Sequence, residues 1–280
     1  MAVFTTTMFS NSLHRLTELT AIVPVEKAAG IPEELRCQDE APMKTIMLLH
    51  GYSGTHTDWI RGSRIEQLAM KYHVAVLCPS GENGFYVDDR KRDAMYEQFL
   101  CEVIDFGRRV FPLSDKREDT YIGGFSMGGY GALVNGMKHP ELFGGIVALS
   151  AAAITDNLAK MDHYEDNPMA SAAYYEHIFG KPQEIPGSDR DMQYIAKTLA
   201  ESDSPKPQIY LACGTEDMLI ESSNSLHQYF DSLGLEHTYV TAPGAHNWAF
   251  WDPDRAGYGQ ILRQKLNTIW AARYSRAALW

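Results

Sequence analysis

A chain of 280 residues, 45% of them hydrophobic, is long enough to bury a substantial core and fits one large α/β domain or two small ones. A formal net charge of −11 argues against a nucleic-acid partner, because basic residues drive binding to the phosphate backbone. No apolar run is long enough to span a membrane, and the opening MAVFTTTMFSNSLHRL has neither the basic nor the apolar region of a signal peptide, so the cytoplasm is the expected setting.

Residues 8–25, rich in Thr, Leu, Ile and Val, predict two strands of a hairpin. KTIMLL (44–49) is a strand running into a loop at His50-Gly51, and VAVL (74–77), closed by Pro79 and Gly81, repeats the pattern. Between them, apolar residues at Ile60, Ile65, Leu68 and Ala69 predict a helix over 59–71. Tyr96, Phe99, Leu100, Val103, Ile104 and Val110 recur at helical spacing until Pro112. A strand over 120–125 is followed by a helix over 129–139, then by strands at 145–150 and 208–213, a helix at 222–233, a strand at 237–241 and a last helix at 261–272. Short apolar strands alternating with amphipathic helices imply a mostly parallel sheet covered on both faces, with ligands at the carboxyl ends of the strands. One α/β domain is therefore expected across 1–280. Residues 157–207 break the rhythm with a strandless stretch rich in Asp, Ser, Pro, Tyr and Met, read here as a helical cap insertion.

Gly124, Ser126 and Gly128 form G-x-S-x-G between an apolar strand and a helix, the context of a nucleophile elbow. The turn is tight, so the residues flanking the serine at two positions must be nearly free of side chain, and the helix N-terminus behind it favours developing negative charge. A serine hydroxyl needs a base within hydrogen-bond reach. In the order Ser, acid, His that accompanies this elbow, only histidines after Ser126 qualify. His139 ends the elbow helix, His163 and His177 lie in the insertion, His227 is helical and His237 opens a strand. His246, in the loop PGAHNW past a late strand, is the base expected to face the elbow. For the acid, Asp217 in GTED (214–217) follows the strand QIYLAC directly; Glu216 is the neighbouring alternative, and an Asp there could also cap the next helix. The backbone N–H groups of Met127 and Tyr52 are the expected oxyanion donors, with His50 bracing the loop that carries Tyr52. Phe85, Tyr86 and Trp248 are candidate walls of the acyl and alcohol pockets, or core aromatics.

The run YIGGFSMGGYGAL (121–133) resembles the elbow of the esterase D and S-formylglutathione hydrolase group, together with the tributyrin and feruloyl esterases of that branch. LLHGYSG (48–54) with Trp59, GFY (84–86), FPLS (111–114), and GAHNW (244–248) with Phe250 and Trp251 carry the same likeness. The run as a whole resembles the small tributyrin-esterase-like carboxylesterases. It departs from esterase D at Asn247, where an Asp is usual, and from the S-formylglutathione hydrolases at Tyr52-Ser53-Gly54, where a cysteine-bearing loop is usual. The resemblance implies an α/β-hydrolase fold and cofactor-free hydrolysis of short acyl esters, hydroxycinnamoyl or acetyl-carbohydrate esters among them. Mycolyltransferases belong to the same branch, so it leaves thioester hydrolysis and acyl transfer as alternatives, and a non-catalytic binding protein on a hydrolase scaffold as a remote one.

A small-molecule ester is the expected partner, with a homodimer as the candidate assembly. No metal is expected, since the histidines show neither H-E-x-x-H nor a paired-ligand spacing. The four cysteines, Cys37, Cys78, Cys101 and Cys213, form no C-x-x-C pair and are expected as free thiols, with disulfides between cysteines distant in sequence as the alternative.

Overall fold

Strands that must be covered on both faces need near-continuous apolar runs, and six segments here supply them. In the computed structural model, which describes residues 1–25 and 42–252, these become β3 (Lys44–Leu49), β4 (Val74–Pro79), β5 (Thr120–Phe125), β6 (Gly145–Leu149), β7 (Gln208–Gly214) and β8 (His237–Ala242), all mutually parallel. The hairpin β1 (Ala2–Ser10) and β2 (Arg15–Val23) adds two antiparallel strands at one edge, giving the order β1-β2-β4-β3-β5-β6-β7-β8. The hairpin begins six residues before its expected start. The first strand lies at the sheet edge with most of its side chains exposed, so its AVFTTT lacks the apolar alternation that would mark it.

Helices cover the sheet on both sides. One face carries α3 (Tyr96–Val110), α4 (Met127–Lys138), α7 (Met192–Glu201) and α8 (Ile220–Ser232) around Phe99, Leu133, Leu199 and Phe230. The other carries α1 (Asp58–Gly62), α2 (Ile65–Tyr72) and α9 (Trp248–Trp251) around Trp59, Ile65, Phe125 and Phe250. The helix expected over 59–71 is two helices. The chain breaks at Ser63, and the main-chain N–H and guanidinium of Arg64 both bind Asp252, far along the sequence. The helix expected at 261–272 and Cys37 lie outside the described residues. Cys78, Cys101 and Cys213 are free thiols, and burial pushes Cys78 well above the usual thiol range.

The strandless stretch begins at α5 (Thr155–Ala159), continues through α6 (Ala172–Phe179) and a short 3-10 turn, and ends in α7. Helix α7 packs against α4 and α8 and forms the crossover between parallel β6 and β7, so it belongs to the regular layer. Among the described residues the excursion proper is therefore shorter than 157–207.

The strand order reverses between β3 and β5: the chain passes from β3 outward to β4, then returns to the other side of β3. Ligands in open α/β sheets lie at such a switch, beyond the carboxyl ends of the strands. Here those ends are Leu49 and Phe125, which lead directly into His50 and Ser126.

Candidate active site

Ser126 has φ 55° and ψ −121°, a left-handed conformation that costs a non-glycine residue about 1–3 kcal/mol. Close packing around it explains the glycines. A Cβ on Gly124 would stand 2.3 Å from the Gly128 carbonyl oxygen, and one on Gly128 would stand 2.3 Å from the Leu49 oxygen and 2.6 Å from that of His50. Only at side-chain-free positions can α4 start this close to the end of β3. The Ser126 N–H donates to the Leu149 carbonyl at 2.9 Å, and its own carbonyl accepts from Tyr130 and Ala152, so both neighbouring segments hold the turn.

Three side chains converge above this turn. The Ser126 Oγ lies 2.9 Å from His246 Nε2, and His246 Nδ1 lies 3.0 and 2.9 Å from the two oxygens of Asp217. The carboxylate is acceptor only, so Nδ1–H donates to it and Nε2 keeps a lone pair for the serine proton. Asp217 is 2% exposed and also accepts from the Leu219 N–H at 2.9 Å. Glu216, its neighbour and rival, turns away: its carboxylate accepts from the Gly244 N–H at 2.6 Å, while its own N–H donates to the Gly244 carbonyl at 3.0 Å. Glu216 thus ties the loop bearing the acid to the loop bearing the histidine.

Met127 opens α4, where the first N–H groups have no partner inside the helix. Tyr52 sits in a turn closed by the Gly54 N–H on the Gly51 carbonyl, and the next residue, Ser53, donates its N–H to Asn83 Oδ1 at 2.7 Å. His50 supports the loop from below. Its Nε2 accepts from the Gly81 N–H at 2.9 Å, which leaves Nδ1–H to donate to the Gly51 carbonyl, and burial lowers its pKa, keeping the ring neutral.

The aromatics proposed as pocket walls stand in packed positions. Tyr86 is fully buried, with its hydroxyl on the His50 carbonyl and its ring over Gly131; it supports the loop that carries Tyr52 and presents no surface to a ligand. Phe85, 6% exposed, packs edge-on against Tyr130 and Phe179. Trp248 is half-buried among Trp59, Phe125 and Trp251, one layer behind the histidine. The indole that touches His246 is Trp251. Its ring stands perpendicular to the imidazole at 4.9 Å, lies stacked on Phe125 at 4.5 Å, and its N–H donates to Ser150 Oγ at 3.0 Å. The sequence marked Trp251 only as part of the family likeness and not as a site residue, although the spacing WAFW after the histidine places Trp248 and Trp251 one turn apart. Asn247 caps this short helix by accepting from the Ala249 and Phe250 N–H groups, a role Asp fills equally well.

Helix α6 borders the site on the far side. The Tyr174 ring packs edge-to-face on Tyr52, and its hydroxyl donates to the Asn83 carbonyl at 2.6 Å. His177 Nε2 lies 2.7 Å from Asp89 Oδ2. Among the described residues no helix is long and apolar enough to cross a membrane.

A family model described as "Putative esterase" matches residues 30–256. An acetyl esterase of Caldicellulosiruptor saccharolyticus is 40% identical over 255 residues, covering 90% of this chain and 94% of that protein. Two solved structures from Staphylococcus aureus, each 26% identical and covering 96% of this chain and 98% of their own, are similar in fold. They are the substrate-bound fluorophosphonate-binding serine hydrolase FphF, TM-score 0.79, and the S-formylglutathione hydrolase FrmB, TM-score 0.78. A ferulic acid esterase at 19% identity shares the fold with TM-score 0.70.

Proposed function

The chain belongs to the esterase family and is an ester-hydrolysing serine enzyme of the α/β-hydrolase fold; from that premise we propose that the acyl-enzyme forms on Ser126 and that acetyl and other short acyl esters are its substrates. The observation that carries the mechanism is the unbroken chain of hydrogen bonds from Asp217 through His246 to the Ser126 hydroxyl. The acyl preference rests on the acetyl esterase relative.

His246 takes the Ser126 proton at Nε2 as Oγ attacks the ester carbonyl, and Asp217 stabilises the imidazolium that results. The Met127 and Tyr52 N–H groups receive the tetrahedral oxyanion, and each such donor is worth about 2.7–4 kcal/mol of barrier. The alcohol leaves with the proton from His246. Water, activated by the same nitrogen, then releases the acid.

A p-nitrophenyl ester series from acetate to octanoate, with methyl ferulate and S-formylglutathione alongside, tests the substrate. Turnover is expected to be highest at acetate and to fall with chain length, and a preference for either of the last two would replace that reading. A fluorophosphonate probe is expected to label Ser126 stoichiometrically, and labelling that survives Ser126→Ala would overturn the nucleophile.

A further inference from the structure

Away from the triad, the C-terminal end of α8 and the start of β8 bring two imidazoles together. His227 Nδ1 lies 2.7 Å from His237 Nε2. His237 Nδ1 is 2.8 Å from the Leu235 carbonyl, which can only accept, so that nitrogen carries the proton and Nε2 offers a lone pair to His227. On the other side, His227 Nε2 lies 3.5 Å from Asp231 Oδ2, one helical turn further on. Both rings are fixed by neighbours: His227 against Tyr239 at 4.7 Å, and His237 perpendicular to Phe230 at 5.3 Å. The Tyr239 hydroxyl is itself held by Asn224.

We propose that His227 and His237 form a binding site for a divalent transition-metal ion, with Asp231 as the carboxylate that orients His227. All three residues present ligand atoms within 4.8 Å of one another. The only chemical change required is a tautomer shift. The proton of His227 moves from Nδ1 to Nε2, where it is donated to Asp231, and the freed Nδ1 lone pair joins that of His237 Nε2 on the metal. No net proton is lost. The result is a carboxylate–histidine–metal arrangement on one ring and a carbonyl–histidine–metal arrangement on the other, the two ways in which ligating imidazoles are usually oriented. Two imidazole nitrogens about 2.0–2.1 Å from a tetrahedral zinc stand roughly 3.3 Å apart, so the pair must open by roughly 0.6 Å. His227 is 35% exposed on its side chain and Asp231 63%, leaving room for that movement and for waters to complete the shell. A nitrogen pair of this kind selects Cu²⁺, Zn²⁺ or Ni²⁺ over the oxygen-seeking Mg²⁺ and Ca²⁺. Bound there, the ion would clip α8 to β8, the helix that follows Asp217 and the strand that precedes His246.

Isothermal titration of the full chain with ZnCl₂, with CuCl₂ and MgCl₂ in parallel, tests the site. One zinc equivalent is expected that His237→Ala removes and that Asp231→Asn weakens by about 10–100-fold. Copper should bind more tightly than zinc, magnesium should not bind, and p-nitrophenyl acetate turnover should be equal in wild type and variants. Should His237→Ala lose its native circular dichroism, His227→Ala at the more exposed partner reads the same question. Equal zinc affinity and stoichiometry in wild type and both histidine variants would overturn the proposal, as would the absence of any zinc binding.

Discussion

The two walls of the site are held by different means. On the nucleophile side, every residue of α4 from Met127 to Met137 is buried, and the elbow is fixed by backbone: glycine against carbonyl, and a serine held at positive φ. On the other side, α6 buries only Ile178 and Phe179. Phe179 anchors it against Phe85 and Tyr130, and the rest of its hold comes from side-chain ends: the Tyr174 hydroxyl on Asn83, His177 on Asp89, and Arg190, which binds the Ile178 and Asp88 carbonyls. The reaction requires one wall to keep its shape to a fraction of an ångström. The hydrogen bonds of the other are individually worth about 0.5–1.5 kcal/mol.

Substitutions can set these walls against each other. The largest effect is expected from Ser126→Ala, which should lower kcat by about 10⁶ while leaving the melting temperature near that of wild type. Asp217→Asn keeps the geometry but offers an amide to an imidazole that needs an acceptor, so kcat should fall by about 10⁴; a loss below tenfold would show that the carboxylate is not the orienter. Trp251→Ala removes the ring that bridges Phe125 and His246. Kinetics should show kcat reduced by up to about 10² with KM little changed, as for a misplaced base.

A fourth test addresses the far end of α4, where Glu97 binds Lys138 and His139. Burial alone would raise the Glu97 carboxyl, but the hydrogen bonds from His139 and Lys138 overcome it and hold the pKa at about 2. The same contact with Glu97 raises the His139 pKa from 6.5. A depressed carboxyl stabilises the fold above its ordinary pKa of 4.5 and loses that contribution as pH falls toward 2, whereas a raised histidine stabilises below 6.5 and loses it as pH rises through its folded value. Glu97→Gln should therefore cost on the order of 1–3 kcal/mol. The melting-temperature difference from wild type should be widest between pH 4.5 and 6.5. The smallest effect belongs to the softer wall: Tyr174→Phe should cost about 0.5–1.5 kcal/mol and change acetate turnover less than twofold. A drop as large as that of Trp251→Ala would mean that α6 positions the reacting groups after all.

The contrast also accounts for what could be read from the chain. A strained turn admits few residues, so Ser126 and its glycines stand out in a single run of seven, and the parallel strands leave apolar blocks that no loop would carry. His246 and Asp217 were candidates by position, each just past the carboxyl end of a strand. Glu216 was an equally placed carboxylate, and what separates the two is their partners, His246 for Asp217 and Gly244 for Glu216. Tyr86 and Trp248 were ambiguous because an aromatic ring beside a site has the same composition whether it faces the ligand or the core. The break at Ser63 has a local part, its hydroxyl on the Trp59 carbonyl and the Ile65 N–H, and a distant one, Arg64 on Asp252 188 positions away, which no local pattern encodes. The meeting of His227 and His237 was hidden for the same reason: ten positions apart, they become neighbours only once helix and strand turn back on each other.

Strand β6 separates the strand that delivers Ser126 from the two that deliver Asp217 and His246. Glu216, by clasping Gly244, ties the loop of Asp217 to that of His246, while the Ser126 turn is tied to the end of β6 at Leu149. Links across that divide include the 2.9 Å contact between Nε2 and Oγ, and the Trp251 ring, which touches His246 and Phe125 while its N–H binds Ser150.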